Sequence, residues 1–407
     1  MRSFEYCVPT RVVFGTDSLE KLPAQLEKSK ASRVLVVYGG QSAKKSGLLD
    51  KVLALLDGAG ISHQELGGVQ PNPHLGLARE GVKKAIAMDA QLILAIGGGS
   101  VIDTAKAIAH GKANPEIDIW EFWLGKQKVS KTTPIGVILT IPASGSETSD
   151  SAVLTDETIL QKRGLNTEFN RPAFAIMDPS LAATLPRRQV ACGVTDIMMH
   201  TLERYFNPIQ GNETTMQLAE AVLRVVIANG PALLRTTVEY GRAAMADPAD
   251  YKARSEIMWC GSLSHNGLTG LGGAKGLSVH PVSFALSEKY DIIHGEALSA
   301  LWCSWARYVC KVSEDNFKLF ARFARNVWDI AEPDMKKAAN AGIDASEAYF
   351  KSLGMPVSIG ELSCGVQDEA GIEDLAARVS YHGTRRVGTL VSLDHEALRE
   401  IFAMANH

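Results

Sequence analysis

In the first half of the chain, short apolar runs alternate with segments whose apolar residues recur at helical spacing. Four runs consist almost entirely of apolar residues, and each precedes a turn that contains glycine or proline: 34–38, 92–96, 136–141 and 174–177. Runs without polar alternation predict strands that are buried on both faces. The intervening segments 17–28, 44–56 and 75–88 predict amphipathic helices. This alternation predicts a mostly parallel sheet that is covered by helices.

Beyond about residue 186, strand-like runs nearly vanish and helical patterns dominate. The predicted helices are 187–205, 214–227, 250–264, 298–312, 314–329 and 370–381. Pro179 and Pro186 mark the change, because proline disfavours helix in the residue before it. The sequence therefore predicts an α/β fold with a Rossmann-like parallel-sheet domain over 1–185, followed by an all-helical domain over 186–407.

The composition is that of an ordinary globular protein, with 46% hydrophobic and 21% charged residues. The net charge of −3, from 42 basic and 45 acidic residues, argues against nucleic-acid binding through bulk positive charge. Six scattered cysteines without a C-x-x-C pair favour a reducing compartment. No apolar run approaches the length of a membrane span, about eighteen residues. We expect a cytoplasmic protein that acts on small metabolites, with no nucleic-acid or membrane partner.

A glycine-rich turn joins a predicted strand to a predicted helix and consists of Gly97, Gly98, Gly99 and Ser100. Glycines let the backbone approach a phosphate closely, and a helix N-terminus offers free N–H groups. The turn therefore favours nucleotide or phosphate binding, although the G-x-G-x-x-G pattern is absent. The alternative is that Ser100 and Asp103 form a capping pair at a tight turn.

A second turn follows the first predicted strand and contains Gly39, Gly40 and Ser42. Dinucleotide sites that select NAD usually place an acidic side chain on the ribose 2′-hydroxyl, and this turn has none. Ser42, Lys44 and Lys45 can instead accept a 2′-phosphate, which favours NADP over NAD. The alternative is that the two lysines form the solvated start of a helix.

Asp196 and His200 stand four residues apart in a predicted helix and therefore share one of its faces. By themselves they can be an Asp–His pair or include a satisfied core histidine. His280 and His294 follow later in the chain, and each can also be structural. Together the four residues supply one oxygen and three nitrogens, a set that suits Fe(II) or Zn(II) rather than Ca²⁺ or Mg²⁺. An ion with an open position can act as a Lewis acid on an alcohol or carbonyl oxygen.

These motifs resemble those of the iron-containing alcohol dehydrogenase family, in particular its butanol dehydrogenases and NADPH-dependent aldehyde reductases. The resemblance runs nearly the whole length of the chain, through 9–15, 38–40, 67–73, 97–103, 142–147, 178–179, 193–200 and 290–295. The glycine turn alone would also fit glycerol dehydrogenases and dehydroquinate synthases. The set of one aspartate and three histidines points to the alcohol dehydrogenase branch.

The resemblance implies hydride transfer between NAD(P)(H) and a small aliphatic alcohol or aldehyde, with the metal as Lewis acid and no protein nucleophile. It implies a pyrophosphate site on Gly98, Gly99 and Ser100. It also implies contacts near the cofactor, less securely for the last two, from Asp103, Thr140, Ser144, Ser149 and Lys162. The implied ligands, catalytic through the metal, are Asp196, His200, His280 and His294. Fe(II) is the expected ion, with Zn(II) as the alternative, and the expected assembly is a homodimer.

One position departs from the family pattern. Many members carry another histidine four residues after the ligand that corresponds to His280, and here that residue is Phe284. The replacement is either tolerated, with water or another group moving the proton, or it marks a changed pocket or a lost activity. Two alternatives therefore stay open: a zinc- and NAD-dependent polyol dehydrogenase, and a nucleotide- and metal-binding relative without turnover.

Overall fold

The computed structural model describes the chain in three segments, which are residues 2–208, 212–236 and 248–407. The chain divides into two compact units, which are Cys7–Thr184 and the combination of Met1–Tyr6 with Leu185–His407. The first few residues thus belong with the helical unit, whereas the sequence analysis placed them in the α/β domain. The backbone N–H of Arg2 donates to Oδ1 of Asn212 at 3.3 Å, which ties this segment to the helical unit.

The unit Cys7–Thr184 is an α/β structure built on a parallel sheet. Its strands are β1 Arg11–Phe14, β2 Arg33–Tyr38, β3 Ser62–Leu66, β4 Leu92–Gly97, β5 Ile135–Leu139, β6 Ser151–Asp156, β7 Gln161–Asn166 and β8 Phe174–Met177. Its α-helices are α1 Leu22–Lys28, α2 Ser42–Lys45, α3 Leu48–Gly58, α4 Leu75–Ala87, α5 Gly99–Ala113 and α6 Trp120–Trp123. Six strands form the sheet in the order β1-β8-β5-β4-β2-β3, and every pairing is parallel. The predicted fold class is confirmed.

The apolar runs of the sequence form the centre of this sheet. Strands β4 and β5 are buried along their whole length. On one face, Leu94 and Ile138 pack in a cluster with Leu26 of α1 and Val52 of α3. Complete burial of a leucine or isoleucine side chain contributes about 1.5–3 kcal/mol. This burial explains why uninterrupted apolar runs form the central strands and why helices must cover them.

The strand order creates a reversal point beside β2. The chain continues from β2 to β3 on one side, then returns to form β4 on the other side and continues outward to β5. Ligands of open parallel sheets bind outside the carboxyl ends of the strands at such a point. The carboxyl ends of β2 and β4 are followed by the two glycine turns that the sequence analysis selected.

Four strands were not predicted from the sequence. The edge strands β1 and β3 are partly exposed, and β3 has the polar sequence SHQEL. Strands β6 and β7 form a separate antiparallel pair outside the main sheet. An edge or two-stranded element needs no continuous apolar run, so the pattern that revealed the central strands is absent from these four.

The second unit is helical throughout its described part, apart from an isolated bridge between Val387 and Leu393. Its α-helices are α7 Arg187–Tyr205, α8 Glu213–Thr236, α9 Pro248–His265, α10 Val279–Tyr290, α11 His294–Val312, α12 Asn316–Trp328, α13 Met335–Ser352, α14 Glu369–Ser380 and α15 His395–Ala405. Phe206 stacks on Phe320 with ring centroids 4.1 Å apart, beside Trp302, within one continuous core. The predicted helices are all present, and α7 has the predicted bounds.

Helix α8 is apolar enough over Glu213–Leu234 to cross a membrane by length and composition alone, which the sequence analysis did not expect. Core helices of globular proteins pass the same test. Val222, Leu223 and Val226 of α8 are buried in the core of the helical unit, where α8 packs against α7 and α9. Among the described residues, no second helix meets this criterion.

Candidate functional site

Three helices of the helical unit bring the four predicted metal ligands together. Asp196 and His200 lie one turn apart on α7, His280 is the second residue of α10, and all three are buried. His294 is the first residue of α11, with 26% of its side chain exposed. The Nε2 atoms of His200 and His280 each lie 3.4 Å from Asp196 Oδ1. The Nε2 atom of His294 lies 3.8 Å from the same oxygen.

The spacing of these atoms fits a single divalent transition ion. The three separations exceed ordinary hydrogen-bond lengths of about 2.7–3.2 Å. Ligand atoms about 2.1 Å from a tetrahedral ion lie about 3.4 Å apart, which is the distance that two imidazoles keep from Asp196 Oδ1. Ligand atoms of Asp196, His280 and His294 also lie within 4.8 Å of one another. These three residues therefore fit an ion such as Fe(II) or Zn(II), whereas His200 is placed with them only by its 3.4 Å approach to Asp196 Oδ1.

The buried charges at this centre also suit a cation. The carboxylates of Asp196 and Glu203 are both buried, and buried charge is stable only when it is compensated. Burial by itself lowers the pKa of His280, but Glu203 and Asp196 outweigh burial and raise it to about 9. Burial and the neighbouring His265 and His280 hold the pKa of His200 well below its ordinary value. His200 is therefore neutral, which is the form of imidazole that binds a metal.

Gly295 lets α11 begin directly against α7. A Cβ atom at this position would lie 2.8 Å from both the Cα and the carbonyl oxygen of Cys192. Cys192 precedes Asp196 by one turn of α7. Backbone atoms cannot yield as a flexible side chain can, so a larger residue would push the start of α11 outward. The absence of a side chain at Gly295 therefore keeps His294 close to Asp196.

Two residues at this centre, Glu203 and His265, were not predicted from the sequence. Glu203 follows Asp196 by seven residues and His200 by three, so it lies on the same face of α7. This spacing is a signal that could have revealed it. His265 ends α9, and its ring centroid lies 3.9 Å from that of His200. No spacing in the sequence connects His265 with the ligands, because only the packing of α9 brings it there.

The predicted cofactor segments follow neighbouring strands of the parallel sheet. Gly39 and Gly40 follow β2, Gly98 follows β4, and Thr140 follows β5. Gly40 and Ser42 are exposed. The backbone N–H of Thr140 donates to the carbonyl of Gly97 at 3.1 Å, which joins two of these segments. The structure thus brings the three segments to one edge of the sheet.

The glycine turn after β4 has no room for side chains. A Cβ atom at Gly98 would lie 2.8 Å from the Cβ of Ile141, and one at Gly99 would lie 2.5 Å from Ser144 Oγ. Helix α5 begins at Gly99, so N–H groups of its first turn have no partner within the helix. Bare backbone at a helix N-terminus suits a pyrophosphate. The alternative in which Ser100 caps the helix is wrong, because Gly98 occupies the N-cap position.

Asp103 faces the interior of the α/β unit. Its Oδ1 accepts a hydrogen bond from Ser146 Oγ at 2.6 Å, and its Oδ2 accepts one from the backbone N–H of Val153 at 2.8 Å. Lys106 is fully buried and donates through Nζ to the carbonyls of Ser146 at 2.8 Å and Ser151 at 2.7 Å. Burial lowers the pKa of Lys106 to about 8, against the opposing effect of Asp103. These two side chains hold the loop that contains Ser144 and Ser149.

The two less secure cofactor residues are both buried and hydrogen-bonded. Ser149 Oγ donates to the carbonyl of Ser151 at 3.3 Å. Lys162 lies on β7, and its Nζ donates to Oδ1 of Asn72 at 2.9 Å. The Ser149 contact is local to its own loop, whereas the Lys162 contact joins β7 to the loop that contains Asn72.

Residues 9–179 match the family described as iron-containing alcohol dehydrogenase, and residues 190–405 match the C-terminal part of the same family. The chain belongs to the iron-containing alcohol dehydrogenase family. Among its relatives, NADH-dependent butanol dehydrogenase A of Clostridium acetobutylicum is 36% identical, with 99% of each chain covered. NADPH-dependent aldehyde reductase YqhD of Escherichia coli is 32% identical, with 100% of each covered. The crystal structure of NADH-dependent butanol dehydrogenase A from Thermotoga maritima has a TM-score of 0.91 and 31% identity, covering 100% of this chain and 99% of that one.

As an iron-containing alcohol dehydrogenase, the protein is an NAD(P)-dependent oxidoreductase of alcohols and aldehydes. The alternatives of a polyol dehydrogenase and a relative without turnover are not favoured. The residue that motivated the second alternative is Phe284, and its ring centroid lies 5.9 Å from that of the predicted ligand His294. An apolar ring therefore lies next to His294, the partly exposed member of the four predicted ligands.

Proposed function

We propose that this protein reduces short or medium aliphatic aldehydes with NADPH and oxidises the corresponding alcohols in the reverse direction. The observation that carries the proposal is the convergence of His200, His280 and His294 on Asp196 Oδ1. Relatives named butanol dehydrogenase and aldehyde reductase support the substrate class. Fe(II) is the proposed ion and Zn(II) the alternative, because availability in the cell, rather than affinity, decides between metals for such a site.

Each group has a role that follows from its placement. A bound Fe(II) or Zn(II) ion supplies a Lewis acid that polarises the substrate oxygen. The residues that would hold the ion are Asp196, His200, His280 and His294. Gly98 and Gly99 would present bare backbone to the pyrophosphate at the start of α5. A bound nicotinamide would supply or accept the hydride, so no side chain of this protein would need to act as a nucleophile.

A cytoplasmic location and a homodimeric assembly belong to the same proposal. All six cysteines are free, as is usual for proteins of a reducing compartment. Size-exclusion chromatography with light scattering is expected to give twice the mass of the chain, and a monomeric mass would contradict the assembly.

A substrate panel with defined metal tests the proposed activity. Protein stripped with a chelator is reloaded with Fe(II) or Zn(II) and assayed with NADPH and NADH on straight-chain aldehydes, simple alcohols and glycerol. We expect aldehyde reduction only after reloading. Bound metal without turnover on any substrate would instead indicate a binding protein. Turnover on glycerol but not on simple aldehydes would indicate a polyol dehydrogenase.

Gly40→Asp is expected to shift cofactor preference from NADPH toward NADH. The new carboxylate would repel the 2′-phosphate of NADPH and accept a hydrogen bond from the 2′-hydroxyl of NADH. The fold accommodates it, because a Cβ atom at Gly40 would meet no atom within 4 Å. Unscreened repulsion between charges about 4 Å apart near a protein surface amounts to about 4 kcal/mol. We expect the ratio of kcat/KM for NADPH to that for NADH to fall at least about tenfold, which corresponds to about 1.4 kcal/mol.

Gly58→Asp is the matched control. A Cβ atom at Gly58, in α3, also meets no atom within 4 Å, so this variant adds the same charge without a clash. Its ratio of kcat/KM values should equal that of the wild type. An unchanged ratio in Gly40→Asp would show that the turn after β2 does not contact the ribose.

A further inference from the structure

Glu203 connects α7 with the start of α10 at the metal centre. Its Oε2 accepts hydrogen bonds from the backbone N–H groups of Ser278 and Val279, the latter at 2.9 Å. Its Oε1 accepts one from the backbone N–H of His280 at 2.9 Å and a second from the Nδ1 atom of the same residue. The Glu203 side chain is completely buried. One carboxylate therefore accepts from three consecutive backbone groups and from a proposed metal ligand.

The hydrogen bonds from the backbone N–H groups to Glu203 cap α10 with a side chain from another helix. The first N–H groups of a helix have no partner within it, and the helix dipole favours negative charge there. The N-cap residue Ser278 makes no side-chain capping bond. Glu203 supplies the missing acceptor from a different helix. The carboxylate thus fixes where α10 begins relative to α7.

The hydrogen bond between the His280 ring and Glu203 determines which ring nitrogen keeps its proton when a metal binds. An ionised carboxylate can only accept hydrogen bonds, so the Nδ1 atom that faces it carries the proton. Nε2 is then the nitrogen that gives up its proton and offers a lone pair when an ion binds. This is the ring atom that lies 3.4 Å from Asp196 Oδ1, on the side where the proposed ion would bind. Metal-binding histidines commonly have their second nitrogen held by a carboxylate in this way.

We propose that Glu203 is a positioning residue that orients the His280 ring for metal binding and keeps a proton on its Nδ1 atom, which leaves Nε2 for the ion. Asp196 and His200 lie on the same helix as Glu203. Helix α7 therefore carries two of the proposed ligands and orients a third. This inference rests on the proposed metal site, since a positioning role requires an ion for which His280 is positioned.

Glu203→Gln tests the inference through metal affinity. Glutamine preserves the size of the side chain, but its amide presents a donor where the backbone N–H groups and His280 Nδ1 require an acceptor. Apo-protein is titrated with Co(II) and with Zn(II) in competition with a chelator, and the visible absorption of bound Co(II) is recorded. We expect affinity to fall about ten- to a hundredfold and the Co(II) spectrum to change. Glu203→Asp, which keeps the charge but shortens the side chain, should retain more affinity than Glu203→Gln.

Glu220→Gln is the control for a purely structural role. Glu220 is a buried carboxylate of α8 that accepts a hydrogen bond from the Tyr205 hydroxyl at 2.9 Å. Its substitution should lower the Tm while leaving the Co(II) affinity and spectrum unchanged. Folded Glu203→Gln protein with the wild-type affinity and spectrum would overturn the inference.

A measurement on the wild-type protein covers the case in which Glu203→Gln does not fold. Nitrogen-15 NMR of histidine-labelled, Zn(II)-loaded protein should show His280 with its proton on Nδ1. A proton on Nε2 would overturn the inference while leaving the proposed function intact. Failure of the wild-type protein to bind Co(II) or Zn(II) would overturn the proposed metal site and the inference with it.

Discussion

Replacement of His280 or His294 with alanine is expected to reduce the metal content to background and to lower aldehyde turnover by about a thousandfold or more. Each variant removes one of three imidazoles that surround Asp196 Oδ1. The ion is proposed to stabilise charge on the substrate oxygen by several kcal/mol, and each 1.36 kcal/mol corresponds to about tenfold in rate. Elemental analysis of purified protein and NADPH oxidation with a saturating aldehyde measure the two effects.

His382→Asn serves as the control for these variants. His382 is exposed in the helical unit, with a backbone φ of 54°, and asparagine tolerates this left-handed conformation. The control should keep the wild-type metal content and activity. Retention of both metal and activity in His280→Ala or His294→Ala would refute the assignment of that residue. Circular dichroism of each variant separates loss of the ligand from loss of the fold.

The fold was predictable from the sequence in segments where a single requirement, such as burial on both faces, decides which residue types can occur. The strand around Leu94 is buried on both faces, so every position is apolar and the sequence shows it. Helix α7 begins directly after Pro186 and has the predicted bounds. The edge strand Ser62–Leu66 is exposed to solvent on several positions and carries no comparable pattern. Helix α13 was not predicted, although Ala339, Ile343 and Phe350 recur at helical spacing along its buried face.

The candidate site was predictable from the sequence only for residues whose side chains are typical metal ligands. Histidines and an aspartate are conspicuous as a ligand set, so His280 and His294 could be proposed although they are far from α7 in the sequence. The role proposed for Glu203 depends on hydrogen bonds from backbone N–H groups of α10. Almost every residue has such a group, so the sequence does not reveal which ones Glu203 contacts. Asp103 was expected near the cofactor, but both of its oxygens are bonded within the α/β unit. Such partners become visible only in the tertiary structure.

Lys106→Met is expected to lower the free energy of unfolding of the α/β unit by about 3–5 kcal/mol. The ammonium group is completely buried and donates to the Ser146 and Ser151 carbonyls and to Ser146 Oγ at 2.7 Å. Methionine has a similar length but no donor, so these acceptors lose their partner and the buried carboxylate of Asp103 loses its nearby positive charge. Removal of the compensating cation from a buried charge costs about this much. Urea denaturation monitored by circular dichroism measures the loss.

The same substitution should weaken NADPH binding, because Lys106 holds the loop whose Ser144 packs against Gly99 at the proposed pyrophosphate site. Lys112→Met provides the comparison within α5. The Nζ atom of Lys112 pairs with Asp89 at the surface, 2.9 Å away, and such pairs contribute at most about 1 kcal/mol. Lys112→Met should therefore retain nearly wild-type stability and NADPH affinity. Equal stability and affinity in the Lys106 and Lys112 variants would mean that the loop is held by its own backbone contacts rather than by the buried ammonium group.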